Sequence, residues 1–129
     1  MFFYGTLMSG FKRAGRSRLD SKLAAEGRGW IGASLYDLGI YPAAIPASDS
    51  RVWGEVHRML DAEAVLATLD EIEGFRASEP DNSLYRRVET PVTFEDGHTA
   101  SAWAYFYNAP LGKAQRIVSG DYLQHLKVT

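Results

Sequence analysis

The chain has 129 residues, 46% of them hydrophobic and 23% charged, with a formal net charge of −2; that is the size of one ordinary domain with enough apolar material for a core. The lack of any cysteine excludes disulfides, a thiolate nucleophile, thiolate–zinc sites and iron–sulfur clusters, and the near-neutral balance lacks the basic surplus of nucleic-acid proteins. No apolar run approaches the ~18 residues of a membrane-spanning helix, and the opening Met1-Phe2-Phe3-Tyr4-Gly5 lacks the basic lead of a secretory signal. The expectation is a cytoplasmic protein, monomer or homodimer, with no nucleic-acid or membrane partner.

Twelve glycines, five prolines and 12% aromatics favour strands joined by tight turns. Phe2-Phe3-Tyr4 is β-prone and stops at Gly5, which predicts a short strand entering a loop. Residues 8–22 are polar and basic, with Lys12, Arg13, Arg16, Arg18 and Lys22. They read as a solvated loop, or as a cluster that steers an anionic substrate; a single helical turn fits at 19–25. Residues 30–36 read as a strand, and Gly39-Ile40-Tyr41-Pro42 turns the chain. A second strand is expected over 52–60, after the polar run 48–51. Within it, Glu55 is a second candidate carboxylate, read as facing solvent.

Residues 84–95 and 99–107 form a predicted hairpin through Glu95-Asp96-Gly97-His98, because Asp-Gly between β-rich runs favours the tight hairpin turn. In the second arm Trp103, Tyr105 and Tyr107 share one face, and Ala102, Ala104 and Phe106 share the other. Both faces are largely apolar, as in a strand covered on both sides. Tyr36, Tyr105 and Tyr107 are candidates to line a cavity, Tyr107 foremost because it ends its strand. Arg86 has the parity of Leu84, Val88, Val92 and Phe94 and is expected to point inward, to a substrate carboxylate or to a structural acid. Tyr85 and Arg87, on the opposite face, read as structural. Ser119-Gly120-Asp121-Tyr122 either opens a short helix or packs across the sheet. The three histidines are far apart in sequence and show no metal-ligand spacing.

One helix stands out. Asp61 is a good N-cap, residues 62–73 follow, and Gly74 supplies a C-terminal stop. At about 100° per residue, Val65, Leu69, Ala62, Leu66 and Ile72 form one apolar stripe. Glu71 falls about 240° from Val65 and points away, whereas Glu73 falls about 80° from it, inside the stripe. A carboxylate there is costly to bury, and the helix C-terminus opposes negative charge. Both effects act to raise its pKa, which suits a general base working near neutral pH. The bland alternative is a frayed last turn that swings Glu73 into water.

Seven segments then occur in order: Phe3-Tyr4-Gly5-Thr6-Leu7, Tyr41-Pro42, Val52-Trp53-Gly54-Glu55-Val56, Leu69-Asp70-Glu71-Ile72-Glu73-Gly74-Phe75, Tyr85-Arg86-Arg87, Ala102-Trp103-Ala104-Tyr105-Phe106-Tyr107 and Ile117-Val118-Ser119-Gly120-Asp121-Tyr122. Each is weak alone. Their order and spacing, over nearly the whole chain, resemble the γ-glutamylcyclotransferase-like family, including its γ-glutamylamine branch and the plant AIG2-like proteins.

The resemblance implies an α+β fold in a single domain over 1–129. That fold is a small mixed β-barrel of about five to seven strands, closed or nearly closed, with a few flanking helices. It implies a cavity at one end of the barrel, roofed by the first loop. Tyr4, Gly5, Thr6 and Leu7 would hold the substrate's γ-glutamyl group, and Glu73 would be the acid/base residue. Arg86 and Tyr107 are the further candidate substrate contacts. The implied reaction is an internal aminolysis that yields 5-oxoproline and a free amine, with no cofactor, metal or covalent enzyme intermediate. Choice of leaving amine is expected to rest on residues 42–49 and 75–83. The alternative is a module that binds a γ-glutamyl-like metabolite without turning it over.

Overall fold

The structure, a computed structural model, describes residues 1–8 and 18–127; the expectations for Lys12, Arg13 and Arg16 lie outside the described residues. The described elements run β1 (Phe2–Phe3), a 3-10 turn (Asp20–Lys22), β2 (Leu23–Asp37), β3 (Pro42–Met59), α1 (Ala62–Glu73), a 3-10 turn (Pro80–Asn82), β4 (Tyr85–Phe94), β5 (Thr99–Tyr107), β6 (Gln115–Ile117) and α2 (Tyr122–Lys127).

The six strands form one antiparallel sheet in the order β1-β3-β2-β4-β5, with β6 beside β2. The two ends of this path meet. The Tyr4 hydroxyl, one residue beyond β1, donates to the Tyr105 carbonyl on β5 at 2.5 Å. The sheet therefore curls as a barrel does, but its described edges are joined by a side chain, not by a ladder. The core fills the curl, with Phe2, Ile31, Leu35 and Val52 essentially inaccessible to solvent and Val65 and Leu69 of α1 buried with them.

β2 and β3 are longer than the segments 30–36 and 52–60. The polar run 48–51 and Pro46 hid the continuity. The pairing jumps from Gly32–Arg51 to Ala33–Pro46, so residues 47–50 leave the ladder as a bulge and β3 resumes beyond them. Pro42 and the residues after it, expected in a specificity loop, thus belong to a strand. The helical turn expected at 19–25 is only the short 3-10 turn, because β2 already starts at Leu23.

α1 has the bounds and caps expected of it. The Asp61 side chain accepts from the Ala64 N–H at 3.3 Å, and Gly74 closes the helix at φ 68°, a left-handed conformation that glycine adopts without strain. The N–H groups of Gly74 and Phe75 both donate to the Asp70 carbonyl. Residues 119–122 do open a short helix, α2, and Asp121 caps it by accepting from the Gln124 N–H at 3.2 Å. Among the described residues no helix is long and apolar enough to cross a membrane.

Candidate active site

A cleft opens where the loop after β1, the start of β3, the end of α1 and the β4–β5 pair converge. Phe2 and Phe3 floor it with Tyr4, Gly5, Thr6 and Leu7. Tyr41 and Pro42 form a second wall, and Tyr85, Tyr105 and Glu73 a third. Counted out to its mouth the cleft holds ≈ 360 Å³ of empty space.

Local sequence explains each wall. The loop is tight: the Met8 N–H donates to the Gly5 carbonyl at 3.1 Å. Gly5 is there for space, since a Cβ would lie 2.8 Å from Pro42 Cγ and 3.0 Å from its Cδ. The Pro42 carbonyl in turn accepts from the Tyr85 hydroxyl at 3.2 Å. Glu73 is half-buried at the last position of α1, and its side chain reaches the cleft together with the first loop.

The tyrosines are held as neutral hydroxyls. Burial pushes the Tyr4 phenol well above its ordinary value of 10.0, and the neighbouring Tyr85 and the Glu73 charge add to the rise. Tyr105 is raised as well, first by burial and then by its hydrogen bond to the Asp70 carboxylate. Among the described lining residues Glu73 is the one carboxylate, and the phenols of Tyr4 and Tyr105 stay protonated throughout the neutral range.

Two further candidates stand elsewhere. Arg86 is exposed and does not line the cleft. Its parity was misleading because β4 pairs with β2 at Thr93 and Phe94. Towards Tyr85 the strand has run past that ladder, and the face of Arg86 and Val88 has no layer over it. The opposite face, with Tyr85 and Arg87, turns to α1 and the cleft. Tyr107 is half-buried and also outside the cleft; its ring meets Tyr85 edge-on at 5.3 Å between centroids, so it backs a residue that does line it. Glu55 is likewise not out in solvent. It is half-buried, 3.1 Å from the buried His57. His98 and His125 pair with Asp96 and Asp37, away from the cleft.

Tyr105, a candidate from the sequence, does line the cleft, whereas reasoning from sequence missed Asp70 and read Tyr85 and Arg87 as structural only. The signal for Asp70 was its position three residues before Glu73, hence on a neighbouring part of the same helix surface. Arg87 Nε donates to Asp70 Oδ1 at 2.9 Å and its Nη2 to Oδ2 at 3.3 Å. The Tyr105 hydroxyl donates to the same Oδ1 at 2.6 Å.

The model of the family described as "Gamma-glutamyl cyclotransferase, AIG2-like" matches residues 1–124. The chain belongs to that family. Its relatives include the gamma-glutamylcyclotransferase family protein YtfP of Escherichia coli K12, 38% identical over 93 residues, which is 72% of this chain and 70% of the relative. The solution structure of ytfP from Escherichia coli superposes with a TM-score of 0.68 at 31% identity, covering 97% of this chain and 96% of that one. YkqA from Bacillus subtilis gives a TM-score of 0.73 at 23% identity over 99% of this chain, which spans only 40% of YkqA; that likeness bears on the fold alone. The α+β architecture described above is thus the gamma-glutamyl cyclotransferase, AIG2-like fold, and the family is one of cyclotransferases.

Proposed function

We propose that the chain releases 5-oxoproline and a free amine from a small γ-glutamyl compound, with Glu73 as the acid/base group. One observation carries this reading. Glu73 and the Tyr4–Leu7 loop, remote in sequence, line one narrow cleft in which Glu73 is the one carboxylate among the described residues.

The reaction asks for orientation, a proton carrier and an oxyanion site. The slot between the first loop and the Tyr41–Pro42 wall bends the γ-glutamyl arm until its α-amine meets its own γ-carbonyl carbon. Orientation of this kind supplies about 7–11 kcal/mol in well-aligned ring closures. The α-nitrogen forms the new C–N bond and loses a proton to the Glu73 carboxylate. The tetrahedral carbon then expels the old amine nitrogen, which takes the proton from the Glu73 carboxyl. One group thus serves as base and then as acid. The backbone N–H groups of the Gly5–Leu7 segment are the candidate donors to the developing oxyanion, where glycine allows close approach. Tyr4 and Tyr105 keep their protons and act by shape and hydrogen bonding.

The test is 5-oxoproline release from a panel of γ-glutamyl-amino acids, γ-glutamyl-ε-lysine and γ-glutamylamines. Wild type is expected to turn over at least one of them. Glu73→Gln should fold and bind, but with kcat lower by roughly 10²–10⁴-fold. Retention of most activity in that variant would remove Glu73 from the role. Ligand-induced stabilisation without release by wild type would favour the binding module.

A further inference from the structure

We infer that Asp70, Arg87 and Tyr105 are positioning residues: together they fix the last turn of α1 so that the Glu73 carboxylate is held in the cleft. This rests on the reading of Glu73 given above.

The geometry is specific to this turn. Asp70 is gripped at both ends. Its carbonyl accepts the N–H groups of Gly74 and Phe75, the two residues after Glu73. Its carboxylate accepts two bonds from Arg87 and one from Tyr105. Arg87 itself packs on two rings, with its guanidinium carbon 4.7 Å from the centroid of the Trp103 ring and 5.5 Å from that of Phe75. Phe75 is therefore pinned through its backbone by Asp70 and through its ring by Arg87. Glu73 lies between the two pinned residues and has little freedom to fray. This is what separates the observed helix end from the alternative of a carboxylate swinging into water.

Tyr105 adds a second link. Its hydroxyl goes to Asp70, while its carbonyl accepts from the Tyr4 hydroxyl at 2.5 Å. One strand residue thereby ties the substrate loop to the helix that carries Glu73. Two carboxylates three residues apart on a helix repel, and the last turn is the unfavourable end for both. Arg87 neutralises the one that is not needed in the cleft.

The experiment compares Asp70→Asn and Tyr105→Phe with Asp121→Asn, which alters a remote aspartate also paired to an arginine. Each full-length protein is assayed for kcat and KM in 5-oxoproline release, for thermal stability, and for amide hydrogen exchange at Gly74 and Phe75. Loss of positioning by about an ångström costs on the order of 10²-fold in rate. Asp70→Asn is therefore expected to lower kcat by about 10- to 100-fold, with KM within about threefold and faster exchange at Gly74 and Phe75 than at core amides. Tyr105→Phe, which deletes one hydroxyl and leaves the ring, should show a smaller loss of the same kind and serves if Asp70→Asn fails to fold. Asp121→Asn should lower stability without changing kcat or these two amides. Unchanged kcat and unchanged exchange in both clamp variants would overturn the proposal. If wild type releases nothing, or Glu73→Gln stays active, the acid/base reading fails separately. The exchange at Gly74 and Phe75 then still decides the clamp.

Discussion

Arg28 on β2 and Arg87 on β4 each lay a guanidinium over a tryptophan, Trp53 at 5.2 Å and Trp103 at 4.7 Å, and each grips an aspartate of a helix end. The ends differ. Asp121 precedes α2, where unpaired N–H groups and the helix dipole welcome a negative charge, and it caps the Gln124 N–H. Asp70 sits in the last turn of α1, where the dipole opposes it. One carboxylate would be at ease without its arginine; the other depends on Arg87 and Tyr105 for compensation. An acid placed against the helix dipole and then neutralised from two sides contributes rigidity where the chain needs it, beside Glu73.

The largest expected effect follows directly. Arg87→Met strands a half-buried carboxylate at the wrong helix end and should cost about 2–4 kcal/mol in urea unfolding. Arg28→Met leaves Asp121 with its cap, and Arg28 is the more exposed arginine, 34% against 17%; about 1 kcal/mol is expected. Equal losses would break the contrast.

Tyr105→Phe sharpens it, because the Arg28 pair has no tyrosine donor of this kind in its described bonds. Loss of a hydrogen bond to a charged acceptor should cost about 1.5 kcal/mol at neutral pH. The pH dependence has a defined sign. Burial holds the folded Tyr105 phenol above its ordinary value of 10.0, so beyond that pH the unfolded chain binds fewer protons than the folded one and stability falls as pH rises. The variant lacks this group. Its stability, lower at neutral pH, should decline less between about pH 9 and pH 11 than that of wild type.

The smallest effect belongs to Asp121→Asn. Asparagine caps a helix about as well as aspartate, so only the pairing with the half-exposed Arg28 is lost. A change under about 1 kcal/mol is expected, read by the same unfolding curves. A loss as large as that of Arg87→Met would mean that the two pairs are energetically alike.

Legibility in the sequence followed the same division. α1 could be read to the residue because its caps, its apolar stripe and its stop are all local signals, and the position of Glu73 followed from them. The hairpin at Asp96-Gly97 was local too. The lengths of β2 and β3 were not, since a bulge over residues 47–50 breaks the pattern that periodicity relies on. Arg86 and Arg87 show the limit best. Alternation places the two on opposite faces, but which face is covered depends on where β4 leaves β2 and meets α1. No neighbour in the sequence carries that information. Tyr105 was legible as a residue of a doubly covered strand, but not as the link between Tyr4 and Asp70.

The contact between Gly5 and the Pro42 ring has a consequence for anyone reshaping this protein. The two positions, 37 residues apart, can be exchanged only as a couple, because any side chain at the first must displace a rigid ring at the second. Ile40, two residues before that ring and 74% exposed, carries no such debt. Substitution therefore has wide latitude at the tip of the β2–β3 turn and almost none at its base, where a change at the ring would be transmitted at once to the loop after β1.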